Sequence, residues 1–343
     1  MRFGTPLADE LTNLTLEDAR SAIRSATIEQ LSVYGVDGFS GYHAAAEARL
    51  DLPLDKLDES VLLLKNKLGE TPLHLICKHP WTPTAMAQDL LVANLPLKYM
   101  TDRTLFAKDN NGDTPFHNLV ASGGFDLLPK HQRTLKNLLR VNNNGETGLH
   151  KAAQTGKLRS LSPSFLTQEN LQRKTKTGNT VFHDVMRGGE FSTLKSSLVT
   201  LKNLTLADED FTTPLHCGSL AQVPRHFITQ ETLMLTCNGG GDGGWTVLHG
   251  AALRGDLQYI PLELLTPDNL TKVSMKGSIP LEYHINQGLG VDCLPIYKPG
   301  WVVKNEVERR KWLKLIETYS MPEAESVSKD MSHLEKDGAW SDL

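Results

Sequence analysis

The 343-residue chain has little cysteine, little net charge and no long apolar run. Its four Cys, none in Cys-x-x-Cys spacing, argue against a disulfide framework and against a zinc site. A reducing compartment, the cytoplasm or one like it, is therefore expected. No stretch approaches the roughly 18 apolar residues that a membrane span needs, and no membrane contact is expected. No basic segment leads into an apolar run at the N-terminus, so no signal peptide is expected. The net charge is −4 at pH 7. Residues 320–343 hold six acids and two Lys, which is −4 by themselves (2 − 6), so the rest of the chain is near neutral. Nucleic acid selects an excess of positive charge, and that balance argues against it. The polar stretch 320–343 reads as an acidic tail, expected to be disordered.

What the chain has is repetition. Gly145-Glu146-Thr147-Gly148-Leu149-His150-Lys151-Ala152-Ala153 is spelled again and again. Its His recurs at 117, 150, 183, 216 and 249, in steps of 33 (150 − 117, 183 − 150). A fixed period of that length signals stacked units. Asn142-Asn143-Asn144-Gly145 is a turn, since Asn and Gly tolerate positive φ. Thr147 stands where a helix N-cap belongs, and in three copies Pro72, Pro115 or Pro214 follows at the first helical position. Leu149, Ala152 and Ala153 lie on one face of a short helix. A second apolar stripe follows, Leu158, Leu161, Phe165 and Leu166, matched by Leu257, Ile260, Leu264 and Leu265. Each unit closes with Leu-Thr-x-x-x-Leu or a near match, as in Leu166-Thr167…Leu171, Val199-Thr200…Leu204 and Leu265-Thr266…Leu270. That Thr is expected to cap a last helical turn.

The units resemble ankyrin repeats. The resemblance rests on Thr71-Pro72-Leu73-His74, Thr114-Pro115-Phe116-His117, Thr213-Pro214-Leu215-His216 and Thr246-Val247-Leu248-His249-Gly250-Ala251-Ala252. Thr147 with His150 and Thr180 with His183 complete the signature. It implies an all-α ankyrin-repeat solenoid of helix-turn-helix units with β-turn fingertips, about seven or eight units with a shortened second helix. Residues 1–26 are expected to form an N-terminal helical cap, 27–296 the solenoid and 297–319 a C-terminal capping helix. An insertion near 78–87 and degenerate units at both ends interrupt the period. In the closing helix Val307, Trp312, Leu315 and Ile316 are expected to be buried.

By this resemblance the protein is a non-catalytic scaffold, a monomer that binds another protein through its fingertips and concave face, with no cofactor. The alternative is an effector or regulator that inhibits or modulates an enzyme, any catalysis being confined to the caps or the insertion. The His ladder invites a metal or catalytic reading, but the resemblance implies structural histidines, and stacking spaces them apart. Cys217 beside His216 invites a nucleophile–base pair, though adjacent helix residues point apart. The glycine run 239–244 lacks the Gly-Lys-Ser/Thr ending of a phosphate loop and reads as a fingertip. Partner contacts are expected at the basic turn Arg173, Lys174 and Lys176, and at three aromatics. Phe211 and Trp245 occupy turn positions where other copies carry Gly, Glu, Asp or Asn, and Trp81 lies in the insertion. Exposed aromatics of this kind anchor interfaces. In each case the ring could instead fold back on its own loop.

Overall fold

Each repeat starts from a turn that braces itself. Asn142 Oδ1 accepts the N–H groups of Asn144 and Glu146, both at 2.9 Å, and Gly145 takes φ +79°. Asn66, Asp109 and Asp208 brace their turns in the same way. Neighbouring turns are joined by backbone bonds, Asn143 N–H to Asn111 O at 3.0 Å and Lys176 N–H to Asn144 O at 2.8 Å. A capping Thr then opens the inner helix, whose apolar face is buried. Leu149, Ala152 and Ala153 have no exposed surface.

The computed structural model describes residues 6–11, 14–50, 54–79, 97–238, 243–322 and 324. It divides into two compact units, Met1–Asn203 and Leu204–Leu343. The first begins with α1 (Leu7–Leu11), α2 (Leu16–Ser25) and α3 (Ile28–Ser32). Its inner helices are α4 (Gly41–Glu47), α5 (Pro72–Lys78), α7 (Pro115–Ser122), α9 (Gly148–Gln154) and α11 (Val181–Gly188). Each packs on the next in sequence order. Between them lie one-turn helices, α6 (Asp102–Leu105), α8 (Leu135–Leu138) and α10 (Gln168–Leu171), with α12 (Leu201–Leu204) at the boundary.

The second unit stacks α13 (Pro214–Cys217), α15 (Val247–Arg254) and α17 (Pro280–Asn286) in order. Its one-turn helices are α14 (Gln230–Leu233) and α16 (Pro267–Leu270), and α18 (Glu306–Thr318) packs on α16. A two-residue ribbon, β1 (Thr236–Cys237) with β2 (Trp245–Thr246), is antiparallel. In α18, Trp312 and Leu315 are buried, but Val307 is 65 % exposed. It lies in the first turn, ahead of the face that meets the stack.

The second element of each repeat is shorter than the sequence suggests. Where a shortened helix is expected, there are two 3-10 turns, Leu158–Ser160 and Pro163–Phe165, before the single α-turn of α10. The spacing Leu158, Leu161 suits three residues per turn. Ser162, ahead of Pro163, takes ψ 132°, since a residue before Pro is pushed out of the helical region. The Thr of Leu-Thr-x-x-x-Leu does cap the last turn: Thr167 Oγ1 accepts Asn170 N–H at 3.3 Å, and Thr266 does the same for Asn269.

Candidate functional site

The histidines are joints of the stack. His150 Nδ1 accepts the backbone N–H of Thr147 at 3.1 Å, and its Nε2 donates to Arg173 O of the following unit at 3.1 Å. A ring that accepts at Nδ1 and donates at Nε2 is neutral. The same pair of bonds recurs at His43, His74, His117, His216 and His249. Thr180 N–H likewise donates to His183 Nδ1. Burial drives His74, His150 and His216 down to about 4 and lowers His43 and His117. With both nitrogens of such a ring engaged, it has no lone pair to offer a metal or a substrate.

The Cys217 thiol donates to Thr213 O at 3.5 Å, and both ring nitrogens of neighbouring His216 are taken by backbone groups. A Cys–His contact that the spacing did not reveal is Cys293 with His284, at 3.5 Å. It is ill suited to nucleophilic attack. Burial pushes the Cys293 thiol up to about 11, and His284 Nε2 already bonds Gly290 O at 2.9 Å.

Between a turn and its inner helix the surface is polar in the middle repeats of the first unit. Glu146, just before its signature Thr147, faces the helix positions four and seven beyond that Thr. Glu146 receives Lys151 at 2.8 Å and Gln154 at 2.7 Å. Lys151 also reaches Asp113 of the preceding turn at 3.2 Å. Glu70 pairs with Lys78 in the same way. Burial would raise the Glu146 carboxyl, but Lys151, Gln154 and Asn142 outweigh it and hold it down to about 2.

One step along, the same positions frame a pocket of roughly 290 Å³, with Asn144, Glu146, Gln154, Lys176, Asp184 and Arg187 in its wall. Asp184 Oδ1 takes Arg187 at 3.0 Å. Its Oδ2 is buried, and Gln154, which gives one N–H to Glu146, also draws the Asp184 carboxyl down. Burial pushes Asp184 up to about 6 against the pull of Arg187. Of these residues only Lys176 is a contact expected from the sequence. The others stand at fixed offsets from the repeating Thr, and that spacing was the signal available.

The remaining contact candidates fall in different settings. Arg173 is exposed, with Glu169 at 3.7 Å and its carbonyl on His150. Lys174 is exposed and bridges Thr180 across the turn. In the second unit Trp245 is half buried, its ring 5.2 Å from His249 and 4.8 Å from Tyr283. Phe211 is different. It is 60 % exposed at φ +59°, in a turn with Asp208, Glu209 and Asp210. Seven other turns place Gly at this register, 38, 69, 112, 145, 178, 244 and 277, all at φ between +75° and +87°. Trp81, most of the insertion and residues 239–242 lie outside the described residues.

The stacked inner helices, the Thr–His joints and the laddered turns make up an ankyrin-type repeat fold. Among solved structures the chain is similar to the ankyrin repeat domain of Bcl-3, described as a unique member of the IkappaB protein family. Identity is 19 %, covering 63 % of this chain and 94 % of that one, with a TM-score of 0.37. No family model matches the chain, and no curated protein matches it. Among the described residues no helix is long and apolar enough to cross a membrane, and no group of three or more His, Cys, Asp or Glu could hold a metal.

Proposed function

We propose that the protein is a non-catalytic scaffold that holds another protein on its turns and on the inner-helix surface beside them. Phe211 carries this reading. A left-handed conformation costs an L-residue roughly 1–2 kcal/mol, and glycine would avoid that cost. The phenyl ring recovers little by burial, being 60 % exposed. Strain kept at an exposed aromatic points to a contact made outside the chain. Glu209 and Asp210, both exposed beside it, suit a partner segment that mixes basic and apolar side chains. Arg173, Lys174, Lys176 and the Asp184 pocket of the first unit are assigned as further contacts, and Trp81 and, in the second unit, Trp245 as secondary ones. Engagement of the Thr–His joints in structural bonds supports giving them no catalytic role.

Phe211→Gly tests the reading with opposed signs. It should raise stability by about 1 kcal/mol as strain is relieved, and it should lower partner capture. The paired measurement is thermal melting alongside affinity capture with wild-type and variant baits. Higher stability with undiminished capture of every wild-type-enriched protein would remove Phe211, and the support it lends, from the proposal.

A further inference from the structure

The turn of the first repeat lacks its own brace. Asn66, Asp109, Asn142 and Asp208 each stand five residues before the signature hydroxyl and hold their turn through a side-chain oxygen. In the first repeat that hydroxyl is Ser40, and the brace position is Gly35. α1 instead takes the amide that later turns give to the carbonyl of the turn before, as Asn143 and Lys176 do: Asp9 accepts Val36 N–H, at 3.0 Å through Oδ1 and 3.2 Å through Oδ2. Gly35 makes the fit possible, because a Cβ there would stand 2.1 Å from Asp9 Oδ1. Leu7, Ala8 and Leu11 of α1 are buried, against α3 and the inner helix α4.

The seat of α1 is the same repeat surface that forms the polar pocket further along. Phe39 precedes Ser40 by one, and Ala44 and Glu47 follow it by four and seven, the offsets at which Glu146, Asp184, Gln154 and Arg187 stand from their own Thr. Five residues do not fill this seat. Among the described residues a groove of about 550 Å³ remains open beside α1, with Val36, Phe39, Ala44 and Ala48 in its wall.

We propose that this groove is a helix-docking site which α1 occupies in cis, and that its external ligand is a partner helix with two leucine-like residues four apart and a carboxylate between them. The residues Leu7, Asp9 and Leu11 state the chemistry of the ligand. The unfilled groove supplies the means of displacement, since a longer helix or a larger apolar side chain covers surface that α1 leaves open. This deepens the scaffold reading, on which its biological use rests, by naming a partner class for one surface.

The test uses the full chain with Leu7→Ala and Leu11→Ala, which releases α1, and a fluorescein-labelled peptide of residues 1–14 followed by anisotropy. Saturable binding to the variant, at least tenfold weaker binding to wild type, and loss of binding on adding Gly35→Ala are expected. An Asp9→Asn peptide should bind about tenfold more weakly. Absence of saturable binding to a variant that still melts cooperatively overturns the proposal, as does equal binding to wild type. If the double variant does not melt cooperatively, Asp9→Ala in the full chain replaces it. Faster amide exchange at Val36 then supports the contact, and unchanged exchange overturns it. Phe211→Gly should leave peptide binding unchanged, so failure of the docking site and failure of the Phe211 reading are separately visible.

Discussion

At the scale of single residues, the histidines make the molecule sensitive to acid. In the unfolded chain each takes a proton near pH 6.5. In the fold His74, His150 and His216 resist protonation until about 4, because burial disfavours the charged ring. Between those values the unfolded chain binds more protons. Stability is therefore fully present above about pH 6.5 and falls as pH drops toward 4, by about 1.4 kcal/mol per pH unit for each such ring. Asp184, raised to about 6, acts in the opposite sense below that pH, as do Glu190 and Asp109, also raised by burial. Three acids oppose five lowered rings, so the net direction is loss on acidification. The urea midpoint should be lower at pH 5 than at pH 7.5, and equal midpoints would mean that the buried rings carry protons. His150→Ala should cost about 3 kcal/mol by urea unfolding, because it orphans the buried Thr147 N–H and Arg173 O together. The Thr–His pairs were legible as a phase of 33. Their bond to the next turn was not, since pitch alone does not say which carbonyl a ring meets.

The closing element of each repeat shows where periodicity reaches its limit. Leu158, Leu161 and Phe165 form an apolar stripe that a short helix or a 3-10 run would serve alike, and only the backbone decides between them. What holds the 3-10 turns is a side chain that the sequence reading passed over. Asn170 Nδ2 donates to Phe165 O, Asn203 to Leu198 O and Asn269 to Leu264 O, at 2.9, 2.7 and 2.7 Å. Asn203 also exchanges two bonds with Gln168 of the preceding repeat. Asn203→Ala should cost about 2–3 kcal/mol, because it leaves a buried carbonyl and the Gln168 amide unpaired, and the urea midpoint measures it. Thr167→Ala, which removes only a cap, should cost about 1 kcal/mol. A recurring Asn in Leu-Thr-x-x-Asn-Leu could have been read as a buried tie, since a polar residue in phase with core leucines needs a partner.

At the scale of the molecule, stability accumulates from neighbour to neighbour. Within the first unit α9 packs on α7 and α11, and α4 packs on α5. In such an array each interface is a near-neighbour term. Leu149→Ala, emptying a site with no exposed surface, should cost about 2–5 kcal/mol. Hydrogen exchange should quicken most in α7, α9 and α11, and least in α4. Uniform quickening across the first unit would mean that it opens as a single cooperative block.

The sequence by itself determined the stack: its period, its capping Thr residues and its small inner faces, because each is a local choice repeated in phase. Only the tertiary structure decided that α1 holds an amide twenty-seven residues away, that Asp184 is buried and that Phe211 faces solvent while Trp245 lies against Tyr283. Those outcomes depend on which atoms distant segments bring together, and that is set by packing between repeats rather than within them.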